Sequence, residues 1–318
     1  MKGKCLYFHI GCTYCKEELI KDLFEKGYSI VILDDIGNKP EINTYFAYHC
    51  IFQFDFNRIV KLITEIVSKK EFQEFQFFTL AEGSVDLLNK ILKHFNRLPI
   101  SILDAPLRDK YLNRKRMESF GEKLDVLEIA TGTADIPIIE EKFFPLIVKP
   151  TDSMESRCVR KVANQKELQE ACLDIFLKSK TYVDTDHGEI ILEDAYCQSS
   201  HALIESCLKG QKISVEILVF QGKPIKYFVT KKFDYDNQFF YERADIAGVD
   251  FLNKKQKKSL EALIEKIISA NGIVSSILHV ELFFEEDSDH FHMIEINYRV
   301  GGGNIPLLIK KAYKVDIL

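Results

Sequence analysis

The 318 residues carry 43 Lys and Arg against 48 Asp and Glu, a formal net charge of −5, with 46% apolar and 29% charged residues. That mild acidity lacks the basic footprint of a general nucleic-acid binder, and the longest apolar runs fall far short of the ~20 residues needed to cross a bilayer. The length suits two or three packed units.

The opening Met1-Lys2-Gly3-Lys4 runs straight into a strand-like segment, unlike the apolar core of a secretory signal. A cytoplasmic protein with neither membrane nor nucleic-acid partner is therefore expected. Its eight cysteines are scattered and read as reduced thiols. Cys12-Thr13-Tyr14-Cys15 alone has metal or redox spacing. With no second CxxC or HxxxH to complete a site, it reads as small residues in a loop at a helix start.

In the first hundred residues strand and helix alternate. Leu6–Ile10 reads as a strand ending at Gly11, and Lys16–Lys26 as a helix with Leu19, Ile20, Leu23 and Phe24 on one face. Gly27 closes that helix, and Tyr28–Leu33 has the unbroken apolar run of a strand buried on both sides. Helix Arg58–Lys69, strand Phe77–Leu80 and helix Val85–Phe95 follow. This order predicts a small parallel sheet with helices on both faces. No phosphate-loop motif surrounds Gly11.

After Pro106 the pattern changes. A charged helical stretch, Arg108–Arg114, precedes the strand Phe144-Pro145-Leu146-Ile147-Val148-Lys149-Pro150, which Pro150 stops. A strand from Arg160, a helix over Gln165–Lys178, and short strands at Ile190–Glu193 and Ala202–Ile204 come next. Strands Lys212–Phe220 and Lys223–Thr230 flank the hairpin signal Gln221-Gly222. The helix Lys257–Ala270 then leads to a last strand pair, so this part is α+β with antiparallel hairpins.

That last pair is the most informative stretch. His279–Glu285 and Phe291–Arg299, joined by the polar loop Glu286–His290, pair with Glu281 opposite Glu295 and His279 opposite Asn297. Alternation by two puts His279, Glu281, Glu295, Asn297 and Arg299 on one face. Two opposed carboxylates repel unless a cation joins them, and an oxygen-only set with an Asn suits Mg²⁺. An exposed face with incidental acids, partnered by Arg299 and His292, is the plainer alternative. Lys149, a lone charge closing an apolar strand, points to an anion. The run Gly301-Gly302-Gly303 before a helix serves either an anion or close packing.

Together these residues carry a resemblance. The order Asp109-Lys110…Arg114, Pro145–Pro150, Glu205…Gly210…Ser214-Val215-Glu216, Glu281 and Glu295-Ile296-Asn297-Tyr298-Arg299-Val300-Gly301-Gly302 resembles the ATP-grasp superfamily, and within it the carboxylate–amine ligases. The resemblance covers about residues 106–318. It implies an α/β domain with a small parallel sheet over residues 1–105, a first ATP-grasp part with the lid over 106–204, and a C-terminal subdomain with the metal hairpin over 205–318.

The same resemblance implies ATP and Mg²⁺ as cofactors, small-molecule carboxylate and amine substrates such as amino acids, and pairing of two copies. Lys110, Lys149 and Ser156 would meet the phosphates. Glu205 and Leu208 would form the adenine hinge, with Glu193-Asp194-Ala195-Tyr196 as a second candidate, and Gly210 stands at the family's distance from Glu205. Lys212, at the place of a ribose-binding Glu, falls in the nucleotide site. Glu281, Glu295 and Asn297 would hold the metal, and Arg299 would stabilise the transferring phosphoryl group. The reaction implied is amide bond formation through an acyl phosphate. The lid departs from the family: Thr151–Val159 holds no glycine. An ATP-grasp protein that binds nucleotide in a regulatory role is the alternative this departure leaves.

Overall fold

The computed structural model describes residues 5–11, 17–34, 47–51, 55–68, 74–153, 156, 158–178, 183–184, 190–191, 201–234, 242–248, 251–285 and 289–317. The Cys12–Cys15 pair, the Glu193 hinge alternative and the lid residues Met154, Glu155 and Arg157 lie outside them. The chain divides into two units, Met1–Ser101 and Ile102–Ile317.

In the first unit the elements run β1 (Cys5–Ile10), α1 (Glu17–Glu25), β2 (Ser29–Asp34), β3 (Ala47–Cys50), α2 (Phe56–Val67), β4 (Glu74–Phe78) and α3 (Val85–His94). All four strands are parallel, in the order β3-β2-β1-β4. The expected parallel sheet is therefore present, with one strand more than the sequence suggested. The apolar run of β2 is buried along Ile30–Leu33, as a strand covered on both faces should be. Ile20 of α1 packs on Ile30 and Ile32. Helix α2 buries Ile59, Ile63 and Ile66, spaced four and three apart along one face. Asp55 caps it by accepting from the Arg58 N–H at 2.9 Å.

The second unit begins with α4 (Lys110–Glu118), β5 (Leu127–Ala130), β6 (Leu146–Pro150), β7 (Arg160–Val162), α5 (Gln165–Lys178), the short pair β8 (Val183–Asp184) and β9 (Ile190–Ile191), and β10 (Ala202–Ser206). Strands β5-β10-β6-β7 form an antiparallel sheet. Helix α5 lays Leu168, Ala171, Cys172 and Ile175 against its core.

The chain continues with β11 (Gln211–Phe220), β12 (Lys223–Asp234), β13 (Glu242–Ala247), α6 (Lys254–Ala270), β14 (Ser276–Glu285), β15 (His290–Asn297) and α7 (Ile305–Tyr313). These five strands form one antiparallel sheet in the order β13-β12-β11-β14-β15. Gln221 and Gly222 both have positive φ (50° and 74°) in the β11–β12 turn, the backbone that two-residue hairpins favour. Helix α6 starts in a capping box made by Asn253 and Gln256 and buries Leu260, Leu263, Ile264 and Ile267. Among the described residues no helix is long and apolar enough to cross a membrane.

Candidate nucleotide and metal site

The β14–β15 ladder pairs His279 with Asn297 and Glu281 with Glu295, the register expected from the sequence. A β-bulge follows, so that Leu282 pairs with Met293 and Ile294 is the extra residue. The ladder stops at Asn297. Arg299 lies beyond it in a bend, its Nη1 donating to the Val300 carbonyl at 2.9 Å. The expectation that Arg299 continues the strand face is thus corrected: among the described residues the pairing ends with His279 and Asn297, and Arg299 sits in a bend before the glycine run.

Glu281 gathers cations. Lys232 Nζ, from β12, donates to its Oε1 at 2.8 Å, His279 Nε2 lies 3.5 Å from the same oxygen, and Lys212 Nζ lies 3.5 Å from Oε2. Burial pushes the Glu281 carboxyl upward, but Lys212, His279 and Lys232 outweigh it and hold the group well below the usual carboxylate range. Glu295 is also held low: burial and Glu281 push it up, and the Lys110 ammonium, 3.4 Å away, with the Asn297 amide overrides them. Asn297 Nδ2 donates to Glu295 Oε1 at 3.0 Å, which leaves its carbonyl oxygen as an acceptor. Two ionised carboxylates and an amide oxygen are a hard, all-oxygen donor set, and they fit Mg²⁺ completed by phosphate oxygens. Among the described residues no group of three or more His, Cys, Asp or Glu is placed to hold a metal.

A second centre forms where β6 meets β10. Glu205 pairs with Ile147 and Leu203 with Lys149, so Lys149 and Glu205 are diagonal neighbours on one face. Lys149 Nζ bonds Glu205 Oε1, and Arg114 Nε, from α4, bonds Oε2 at 2.9 Å. All three side chains are buried. Burial raises the Glu205 carboxyl, and Arg114 and Lys149 together bring it below its ordinary value. Lys149 is lowered, because burial outweighs the pull of Glu205. Lys110 opens α4 behind the N-cap Asp109 and donates Nζ to the Ser153 carbonyl at 2.5 Å.

Both centres open on one cleft, with about 800 Å³ of empty space counting its mouth. Of the residues singled out from the sequence, Lys110, Lys149, Ser156, Glu205, Leu208, Lys212, Glu281 and Glu295 all line it, whereas Asn297 and Arg299 do not. Ile147, Val159, Leu208, Phe283 and Ile294 supply apolar wall. Gly210 makes the turn from β10 into β11 possible. Its φ is +120°, and a Cβ there would stand 2.5 Å from the Phe284 carbonyl oxygen.

Sequence reasoning missed Lys232, and it assigned no role to Arg114 or Glu216. Glu216 carries the same signal that exposed Lys149, a lone charge inside the apolar strand Ile213–Val219. It is fully buried, pairs with His279 Nδ1 and accepts from the Gly301 N–H at 2.9 Å. Burial lowers His279, but Glu216 and Glu281 more than reverse this and raise it to about 9, so the ring is a cation at neutral pH.

The ATP-grasp domain model matches residues 142–306. Over 131 residues the chain is 28% identical to a D-alanine–D-alanine ligase of Christiangramia forsetii, a match covering 39% of this chain and 38% of that protein's length. The fold is similar to an L-amino acid ligase from Bacillus licheniformis, with a TM-score of 0.76 and 18% identity over 99% of this chain and 72% of the other. It is also similar to the D-alanine–D-alanine ligase of Bacillus anthracis, with a TM-score of 0.58 and 14% identity over 95% of this chain and 89% of the other.

Proposed function

The chain belongs to the ATP-grasp family, whose domain model takes in just over half of it, and from that premise we propose that it is an ATP-dependent carboxylate–amine ligase. The observation that carries the reading is one cleft combining three lysines, two of them buried, with the ionised pair Glu281 and Glu295 beside an apolar wall. Phosphoryl transfer asks mainly for positioning and charge neutralisation, and these side chains have that chemistry.

In this reading Ile147, Val159, Leu208, Phe283 and Ile294 bury the adenine, and the backbone at Leu208 reads its edge. Lys110, Lys149 and Lys212 draw in the triphosphate, with Ser156 at the lid. Glu205 fixes Lys149, and Arg114 fixes Glu205, so the ammonium is aimed before ATP arrives. Glu281, Glu295 and Asn297 would hold Mg²⁺, which when bound neutralises phosphate charge. A substrate carboxylate oxygen attacks the γ-phosphorus, and the bond to the β–γ bridging oxygen breaks to release ADP. The amine nitrogen then attacks the acyl carbon, loses a proton and expels phosphate, leaving an amide. Arg299 is assigned to the charge on the acyl phosphate. It would have to exchange the Val300 carbonyl for that group.

The amine and the acid are proposed to be amino acids, as the names of the similar ligases suggest. ADP release measured with Mg²⁺-ATP and pools of amino acids tests this. Turnover that requires two amino acids is expected. ADP release indifferent to every pool, with ATP bound, would leave a nucleotide-binding protein instead.

A further inference from the structure

Glu216 is a carboxylate at the centre of a five-stranded sheet, in a strand segment whose neighbours Val215 and Ile217 are fully buried. An apolar residue would fill that place at less cost, because a buried charge is tolerated only with charged or hydrogen-bonding partners. Its side-chain partner His279 adjoins Glu281, one of the two cleft carboxylates. In the β11–β14 ladder Glu216 stands directly opposite His279, and Ser214 opposite Glu281. One carboxylate oxygen pairs with His279 Nδ1, and the ring's far nitrogen lies 3.5 Å from Glu281. The other oxygen takes the backbone N–H of Gly301 at 2.9 Å. Gly301 has to be glycine for this approach: a Cβ there would stand 2.7 Å from His279 Nδ1 and 2.9 Å from Glu216 Oε1.

We infer that Glu216 is a positioning residue that ties the start of the Gly301–Gly303 turn to Glu281 through His279, setting the metal carboxylate and the turn after Arg299 as one unit. The inference rests on the proposed ligase reading, because it takes Glu281 as a metal ligand. Its physical content is that of an outer shell: a ligand carboxylate held by a partner that is itself held gives a site with one geometry instead of several. Without Glu216 the imidazole keeps only its longer contact to Glu281, at 3.5 Å, and that carboxylate is freer to follow Lys232 or Lys212.

The test uses Mn²⁺ as probe on the full chain with ADP, free Mn²⁺ being read by electron paramagnetic resonance. The variants are Glu216→Gln, which keeps an acceptor for Gly301 but removes the charge, Gly301→Ala, which pushes the turn off the pair, and the double variant. Near-UV circular dichroism checks folding. Each single change is expected to weaken Mn²⁺ binding by about tenfold, with metal-free ADP affinity unchanged and the double variant no weaker than the worse single. Gly301→Ala carries the test alone if Glu216→Gln does not fold. Wild-type Mn²⁺ affinity in a folded variant, or fully additive losses, overturns the assignment while leaving the ligase reading standing. A wild-type chain that binds ADP and no Mn²⁺ overturns the metal reading and this inference together.

Discussion

Lys149 and Glu205 face one another diagonally across the β6–β10 ladder and form an ion pair inside the protein, with Arg114 closing on the second carboxylate oxygen at 2.9 Å. Such a group is costly to assemble and more costly to break from one side, since removal of one member strands the others without water. Glu205→Ala leaves two buried cations uncompensated and is expected to cost about 3–5 kcal/mol of stability. Urea unfolding of the variant and the wild type at neutral pH reads the loss. A difference under about 1 kcal/mol, the range of exposed pairs, would show that the group is not closed to solvent.

His9 gives the first unit a pH dependence. It is fully buried on β1 beside Phe78, 4.8 Å between ring centroids, and among the described residues neither ring nitrogen has a well-formed hydrogen bond. Burial lowers it to about 4 from 6.5, and the Gly11 backbone restores only part. For a base with a depressed native pKa the unfolded chain binds the proton more tightly. Stability is therefore whole above pH 6.5 and falls as pH drops toward 4, by up to about 3 kcal/mol. His9→Leu removes that contribution and the stranded ring nitrogens, and should unfold at higher urea with a flatter profile from pH 6.5 to 4. A variant with the wild-type slope would assign the acid sensitivity elsewhere.

Phe283 tests the apolar wall. It lines the cleft two residues beyond Glu281 on β14, so truncation should act on the base of the nucleotide and spare the phosphates. Phe283→Ala is expected to raise KM for ATP about tenfold, equivalent to about 1.4 kcal/mol, with a smaller change in kcat. Loss of kcat at constant KM would place Phe283 in the chemistry and not in nucleotide binding.

How far these features could be read from the sequence depended on their range. The opposition of Glu281 and Glu295 was legible because two alternating strands and a short polar loop leave few registers. The bulge at Ile294 was not, since nothing local to Met293-Ile294-Glu295 distinguishes it from a regular strand. Strands β3 (Ala-Tyr-His-Cys), β5 (Leu-Glu-Ile-Ala) and β13 (Glu-Arg-Ala-Asp-Ile-Ala) escaped because they are short or polar and each lies at a sheet edge. Lone charges in apolar strands flagged Lys149, and the same reasoning applied to Glu216 would have found it. The pairing of Arg114 with Glu205, 91 residues apart, is a tertiary fact that no local pattern carries.

The central claim is that Glu281 and Glu295 bind ATP through a divalent cation. Calorimetric titration of ATP into the wild type and Glu295→Ala, each with and without Mg²⁺, tests it most directly. The account predicts that Mg²⁺ tightens ATP binding to the wild type by at least tenfold and that Glu295→Ala loses this gain. Equal enhancement by Mg²⁺ in both proteins would contradict it.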